Sequence, residues 1–207
     1  MVKKEIEQKG FFHNQSAISE QDHNDHFVKG LGSVVRKDQI KLFVTKKKLH
    51  STPPLEFHTD SAKADFITWF CEDPGEQPTP TRYLDTKPIF EKFNDEERSL
   101  LTQAFMKCPA RDGTQNHTVE PLLTIENQKN KIFYTPWWFI TPENPKIAEL
   151  IEQFKSHVAQ GSKEDAIEIT LKKGETIIID NKRFLHGRSA LPENTSRYLK
   201  RTWISAL

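Results

Sequence analysis

A histidine and an aspartate stand two residues apart in the stretch LEFHTD, as His58 and Asp60. Residues i and i+2 of a strand point to the same face, so both side chains can reach one metal ion. His186 is the strongest third candidate among the eight histidines, because it follows the apolar stretch ETIIID. The glycine beside it, Gly187, would let the backbone or a substrate come close. The spacing predicts a metal site of two imidazoles and one carboxylate.

This ligand set is the facial triad of non-haem Fe(II) sites, which leaves coordination positions open for a co-substrate and oxygen. Taken alone, His58 and Asp60 are more simply explained as polar residues at a strand end. A rival cluster occurs in DHNDH, where His23 and His26 are three residues apart. No partner motif follows it, so we interpret it as part of a solvated N-terminal segment.

Two arginines near the C-terminus, Arg197 and Arg201, are four residues apart and therefore share one face of a predicted strand. Leu199 and Trp203 lie on the same face, which indicates that it points inward. Buried arginines need an anion, and a carboxylate is the natural bidentate partner of a guanidinium. A metal triad beside inward arginines fits a dicarboxylate that chelates iron at one end, as 2-oxoglutarate does. The alternative is a surface strand with outward arginines.

Composition limits the classes of protein to consider. The 207 residues suit one domain, 1–207, and 14 Phe and 4 Trp supply large side chains for its core. The formal net charge of +1 lacks the excess of Lys and Arg that marks nucleic-acid binders. No apolar run reaches the ~18 residues of a membrane helix, and the start MVKKEIEQKG lacks the apolar core of a signal peptide. We expect a cytoplasmic protein with a small-molecule partner and no nucleic-acid or membrane partner.

Strands are predicted towards both ends of the chain and two helices in the middle. One helix is predicted from Asn94, with Glu97 at the capping-box position and Leu101, Ala104 and Phe105 on one face. A second is predicted from Pro145 to a terminating Gly161. Residues 1–35 are polar and are expected to form a mobile segment. This order favours a mainly β sandwich or barrel with flanking helices. The predicted strands are Ile40–Thr45, Phe66–Cys71, Ile167–Leu171, Glu175–Asp180 and Arg197–Ser205.

Several motifs together resemble the taurine dioxygenase/clavaminate synthase-like (TauD/TfdA) family of Fe(II)/2-oxoglutarate-dependent oxygenases. They are LEFHTD, the loop threonine Thr81, DNKRFLHGR, and Arg197 and Arg201 at +11 and +15 from His186. The stretch KIFYTPWWFITPENPKIAELIEQF is also similar to a strand, an aromatic loop and a helix of the family. The resemblance runs from about Ile40 to the C-terminus. It implies a double-stranded β-helix, that is, a jelly-roll core with flanking helices.

The resemblance also implies roles for individual residues. His58, Asp60 and His186 would bind Fe(II), with 2-oxoglutarate and O₂ as co-substrates and no catalytic side chain beyond the metal site. Thr81 and Arg197 would bind the distal carboxylate of 2-oxoglutarate. Arg201 would lie nearer the metal and contact either the co-substrate or an acidic group of the substrate.

Four further residues have two interpretations each. In the family, the loop of Trp137, Trp138 and Phe139 borders the substrate pocket, but such aromatic residues also form protein cores. Arg188 is interpreted as a structural ion-pair partner or, alternatively, as a substrate contact.

The reaction predicted by the resemblance is oxidation of an unactivated C–H bond, with release of succinate and CO₂. The carboxylate of Asp60 favours hydroxylation over halogenation, and desaturation or cyclisation stays open. Only 57 residues precede His58, and family members often use that part for substrate contacts, so the substrate is left open between an amino acid and another biosynthetic intermediate. The oligomeric state is also left open, with a homo-oligomer as one alternative to a monomer. The competing function is a cupin-like metal-binding module, or a degenerate relative without turnover.

Overall fold

The structure is a computed structural model that describes residues 2–42, 52–109 and 117–206. A π-helical turn, Asn24–Val28, joins the second and third of six helices in this part of the chain. The helices are α1 (Val2–Lys9), α2 (Glu20–His23), α3 (Lys29–Leu31), α4 (Lys87–Phe90), α5 (Asp95–Leu101) and α6 (Pro145–Glu164). The strands are β1 (Phe11–Asn14), β2 (Gly32–Lys41), β3 (Leu55–His58), β4 (Phe66–Asp73), β5 (Thr81–Asp85), β6 (Phe105–Pro109), β7 (His117–Pro121), β8 (Leu123–Glu126), β9 (Lys129–Ile132), β10 (Ile167–Ile169), β11 (Thr176–Asp180), β12 (Phe184–Arg188) and β13 (Tyr198–Ala206).

Two antiparallel sheets form the centre of the fold. The larger has the strand order β1-β11-β4-β13-β2, and the smaller has the order β10-β5-β12-β3. A buried cluster contributed by both sheets includes Trp69, Tyr83 and Trp203. The predicted mainly β sandwich with flanking helices is confirmed. The described part of the predicted strand at Ile40–Thr45 is the end of β2, and its residues 43–45 lie outside the described residues.

The strands β4 and β11 of the larger sheet are buried on both faces, as their apolar runs predict. In β11, Ile177 and Ile179 belong to the cluster between the sheets, whereas Ile178 packs on the outer face. Alternation along a strand explains this division, since successive side chains point to opposite faces. An uninterrupted apolar run therefore needs a second covering layer, and the N-terminal segment supplies it.

That covering layer corrects the expectation for residues 1–35. Strand β1 pairs with β11 along four residues, and Ile6 of α1 packs against Ile178. His23, which we expected to be solvated, is 3% exposed. Its ring nitrogens lie 2.9 Å from Thr176 Oγ1 and 3.5 Å from Thr68 Oγ1. The sequence of this segment is mostly polar because only a few of its side chains face the sheet.

The smaller sheet is covered on its outer face by α6, which buries Ile147, Leu150 and Phe154 there. The predicted start at Pro145 is confirmed, but the predicted end at Gly161 is wrong, because the helix continues to Glu164. A Cβ at position 161 would lie 3.2 Å from a methyl group of Leu84. Close packing of helix on sheet therefore explains this glycine better than helix termination.

The helix predicted from Asn94 is confirmed with its capping box, in which Asn94 Oδ1 accepts from the Glu97 N–H and the Glu97 carboxylate accepts from the Asn94 N–H. It ends at Leu101, however, and Phe105 begins β6 with 40% of its surface exposed. The prediction that Phe105 shares the buried helix face is therefore wrong. Pairing of β6 with β7 turns this side chain outward.

The buried His23 should make stability depend on pH. Burial lowers its pKa from 6.5 to about 4, against the opposing effect of the Glu20 charge. Because the unfolded chain then binds more protons between these values, stability is full above pH 6.5 and falls as the pH decreases towards 4. At roughly 1.4 kcal/mol for each pKa unit, the loss is about 3 kcal/mol. His23→Gln should remove that part of the pH dependence in urea unfolding, measured from pH 7 to pH 4.

The matched control is His26→Gln, since the side chain of His26 is 70% exposed. It should leave the pH dependence of the wild type unchanged. Equal slopes of unfolding free energy against pH for the His23 variant and the wild type would contradict the prediction.

Candidate metal centre and adjoining cavities

The pairing of two strands brings the predicted metal ligands together. Strand β12 pairs with β3 so that His186 lies directly opposite His58. Nε2 of His58 lies 3.9 Å from Asp60 Oδ1, and Nε2 of His186 lies 3.7 Å from Asp60 Oδ2. One ligand atom from each residue falls within 4.8 Å of the others, and all three side chains are buried. Two imidazoles and a carboxylate this close fit a single transition-metal ion.

Asp60 lies just beyond the end of β3, so its position does not follow from strand geometry alone. The N–H of Asp60 donates to Asn181 Oδ1 at 3.1 Å, and the N–H of Thr59 donates to the carbonyl of Tyr134 at 2.8 Å. Asn181 in turn donates to the carbonyls of Ser61 and Ala64. These bonds anchor the turn that carries the carboxylate. Sequence reasoning missed Asn181, although it follows β11 directly in the DNKRF stretch.

His58 is oriented by its neighbour Glu56. Nδ1 of His58 lies 2.8 Å from the carbonyl oxygen of Glu56, so Nδ1 carries the proton and donates it. This tautomer leaves Nε2 as the nitrogen that faces Asp60 and His186. The indole of Trp137 donates to the Glu56 carboxylate at 2.7 Å, and its ring lies 5.5 Å from the ring of His58.

The three aromatic residues of the PWWF stretch lie in different places. Trp137 lies against His58, as described above. Trp138 lines a cavity beside Asp60. Phe139 packs against a core cluster, with its ring 6.0 Å from that of Tyr134. The core interpretation describes Phe139, and the substrate-pocket role of Trp137 and Trp138 stays a prediction.

Arg197 and Thr81 form a second polar group next to the metal centre. Arg197 Nη2 donates to Thr81 Oγ1 at 2.8 Å, and both residues are buried. Burial lowers the pKa of Arg197. Across residues 2–42, 52–109 and 117–206, no carboxylate lies within ion-pair distance of this guanidinium. A buried cation whose bonded partner is a neutral hydroxyl is suited to an anionic ligand.

A small cavity of about 30 Å³ connects this pair with the metal centre. Leu199, on the same inward face of β13, is 2% exposed, so the predicted orientation of this strand face is confirmed. The polar residues that line the cavity are Thr81, His186, Arg188, Arg197 and Arg201.

Arg188 forms part of the cavity wall and holds the chain before β3. Its Nη1 donates to the carbonyl oxygens of Pro53 at 2.8 Å and Ser189 at 3.1 Å. Burial, together with the nearby charge of Arg197, lowers its pKa to about 10. Its predicted role, as an ion-pair partner or a substrate contact, stays a prediction.

Arg201 differs from Arg197 because it contacts two carboxylates. Its Nη1 donates to both oxygens of Asp60 at 2.8 Å, and its Nη2 donates to Asp38 Oδ2 at 2.8 Å. Burial favours the neutral form of Asp38, but hydrogen bonds and charges from Arg201 and Arg36 outweigh it and lower the pKa of this carboxyl. Asp38, which sequence reasoning missed, lies on β2 opposite Arg201. The co-substrate contact predicted for Arg201 stays a prediction.

A larger cavity of about 490 Å³ opens on the other side of Asp60. Phe133, Trp138 and Trp203 supply its aromatic wall. Its charged lining residues are Arg36, Lys37, Asp38, Asp60, Lys63 and Glu120. A mixed apolar and charged cavity that reaches a metal ligand has the character of a small-molecule site.

Gly187 allows the close approach of β12 to β3, the two strands that carry His186 and His58. A Cβ at this position would lie 2.7 Å from the carbonyl oxygen of Leu55 and 3.3 Å from two further backbone atoms of β3. Backbone cannot move aside as a flexible side chain does, so Gly187→Ala should lower the free energy of unfolding by about 1–3 kcal/mol. Urea unfolding measures the loss.

Gly30→Ala is the matched control, since a Cβ there meets nothing within 4 Å. We expect it to be neutral, or stabilising by less than about 1 kcal/mol. Equal unfolding midpoints for the two variants would contradict the proposed close approach.

Residues 10–203 match the family profile described as taurine catabolism dioxygenase TauD, TfdA family. The chain belongs to this family. The match includes every metal-centre residue described above. No curated protein matched this TauD/TfdA family member.

Solved structures similar to this TauD/TfdA chain share its fold. Asparagine oxygenase superposes with a TM-score of 0.67 at 18% identity, covering 86% of this chain and 60% of that one. The non-haem iron oxygenase OrfP in complex with Fe and alpha-ketoglutaric acid gives 0.66 at 17% identity, covering 84% and 59%. Asparagine oxygenase with Fe(II), 3-hydroxyasparagine and succinate gives 0.66 at 17% identity, covering 82% and 56%. The predicted double-stranded β-helix is confirmed.

This family member spans somewhat over half the length of those chains. Among the helices that the structure describes, none has both the length and the apolar character needed to cross a membrane.

Proposed function

We propose that this TauD/TfdA family member is an Fe(II)- and 2-oxoglutarate-dependent oxygenase that hydroxylates a C–H bond of a small molecule, as a single domain. The observation that carries the proposal is the position of Arg197. A buried guanidinium bonded to Thr81 shares a cavity with His186, one of three clustered ligand side chains. 2-Oxoglutarate requires such an arrangement, because it binds the metal at one end and needs a partner for its distal carboxylate at the other.

His58, Asp60 and His186 would hold Fe(II), and their donor set fits it. Bound Fe(II) would activate O₂ and couple oxidative decarboxylation of 2-oxoglutarate, to succinate and CO₂, to oxidation of the substrate. The protein residues supply geometry. Arg197 and Thr81 would bind the distal carboxylate, and the three ligand side chains are themselves buried, at 6% exposure or less.

The cavity of about 490 Å³ beside Asp60 is the proposed substrate pocket. Its lining carries both positive and negative side chains, which suits a small zwitterion such as an amino acid. Amino-acid products also occur in the similar structures, as 3-hydroxyasparagine in asparagine oxygenase and (3S)-hydroxy-L-Arg in OrfP. These observations support an amino acid as the substrate class.

The proposal is tested by succinate release from 2-oxoglutarate. The purified chain should release succinate only when Fe(II) and O₂ are both present, and a panel of amino acids should identify one that stimulates the release. Metal binding without succinate from any member of the panel would instead favour the competing metal-binding module or the degenerate relative.

A further inference from the structure

Two side chains of β13 hold the carboxylate of Asp60. Arg201 Nη1 donates to both of its oxygens at 2.8 Å, and the indole Nε1 of Trp203 donates to Oδ2 at 2.9 Å. All three residues are buried, at 3% exposure or less. At such burial these charge-assisted hydrogen bonds restrict rotation of the carboxylate strongly.

Strand β2 holds Arg201 in that position. Asp38 lies opposite Arg201 in the β2–β13 register and accepts from its Nη2 at 2.8 Å. Arg36 donates from Nε to the other oxygen of Asp38 at 2.7 Å. The charge of Arg201 is therefore compensated by two carboxylates, whereas Arg197 has a hydroxyl partner. This difference separates the roles of two arginines on one strand face.

We propose that Arg201 and Trp203 are positioning residues, which hold the Asp60 carboxylate towards the imidazoles of His58 and His186. The inference rests on the proposed metal site and adds to it the groups that orient one ligand. It assigns Arg201 to the metal ligand first. The Nε of Arg201 is buried without a partner among the described residues, and the residue also lines the co-substrate cavity.

The physical reason is that a carboxylate can turn about its side-chain torsions unless donors fix it. Two donors on one side of Asp60 leave its remaining lone pairs on the side of the histidines. Loss of such an outer partner typically weakens metal binding by about 10- to 100-fold.

The test uses Co(II) as the probe, titrated into the purified full chain and followed by its visible absorption. Trp203→Phe removes the indole donor and keeps an aromatic ring. We expect about 10-fold or greater weakening of Co(II) binding and a changed absorption band. Tyr198→Phe is the matched control, because Tyr198 lies on the same strand but lines neither cavity and makes no hydrogen bond to Asp60 in the described structure. Its Co(II) affinity should equal that of the wild type.

Arg201→Lys supplies the second arm, since a single ammonium cannot bridge two carboxylates as a guanidinium does. It should weaken Co(II) binding while the Co(II)-loaded protein keeps its affinity for 2-oxoglutarate. Unchanged Co(II) affinity in Trp203→Phe would overturn the inference. So would an Arg201→Lys protein that binds Co(II) normally but has lost affinity for 2-oxoglutarate, because Arg201 would then be an anion anchor. Failure of the wild type to bind Co(II) would refute the metal site itself.

Discussion

Replacing His186 with alanine should abolish Fe(II)-dependent succinate release. The imidazole of His186 lies 3.7 Å from the Asp60 carboxylate and opposite His58, so its loss leaves two of three ligands. Loss of an outer partner already weakens metal binding by about 10- to 100-fold, and loss of a ligand should exceed about 100-fold. Anaerobic Fe(II) titration and succinate assays measure the two effects.

The exposed His26 provides the control for this variant. His26→Ala removes an imidazole whose side chain is 70% exposed, and it should keep wild-type Fe(II) affinity and succinate release. A His186→Ala protein that still binds one equivalent of Fe(II) tightly would show that the clustered side chains are not the iron site.

Replacing Arg197 with methionine should remove affinity for 2-oxoglutarate without removing affinity for Fe(II). Methionine keeps most of the volume but cannot donate to Thr81 or pair with a carboxylate. Truncation of one partner of a buried charge pair costs about 2–5 kcal/mol, so the dissociation constant of 2-oxoglutarate should rise by roughly 30-fold or more. Calorimetric titration of the metal-loaded protein measures it.

The same variant should not lose stability. Burial opposes the charge of Arg197 and lowers its pKa, so an apolar replacement of similar size should be neutral or stabilising in urea unfolding. Weak 2-oxoglutarate binding in a well-folded protein would therefore reflect the lost guanidinium.

Lys200→Met is the matched control on the opposite face of β13. Lys200 contacts Glu20 and Glu72 near the surface and does not line the cavity. Its loss should leave 2-oxoglutarate affinity unchanged. Unaltered 2-oxoglutarate affinity in Arg197→Met would exclude the proposed dicarboxylate site.

The sequence predicted those elements whose pattern depends only on residues close together in the chain. The capping box at Asn94 needs only neighbours along the chain, and the apolar stripe of α6 repeats within one helix. The inward face of β13 was predictable for the same reason, because alternation assigns Arg197 and Leu199 to one side. The wrong predictions concern residues with distant partners. Phe105 is turned outward by β7, and Gly161 is explained by Leu84 on another element.

For the site, the residue types of His58, Asp60, His186 and Arg197 were sufficient to predict an iron and dicarboxylate centre. Their assembly depends on the β3–β12 register, which places the two histidines opposite each other. The spacing of Arg197 and Arg201 could not distinguish the two arginines. The pairing of β2 with β13 does so, because it sets Asp38 beside Arg201. A buried charge pairs with the opposite charge that the folded chain brings next to it. Residues far apart in the sequence supply that partner, so only the tertiary structure identifies it.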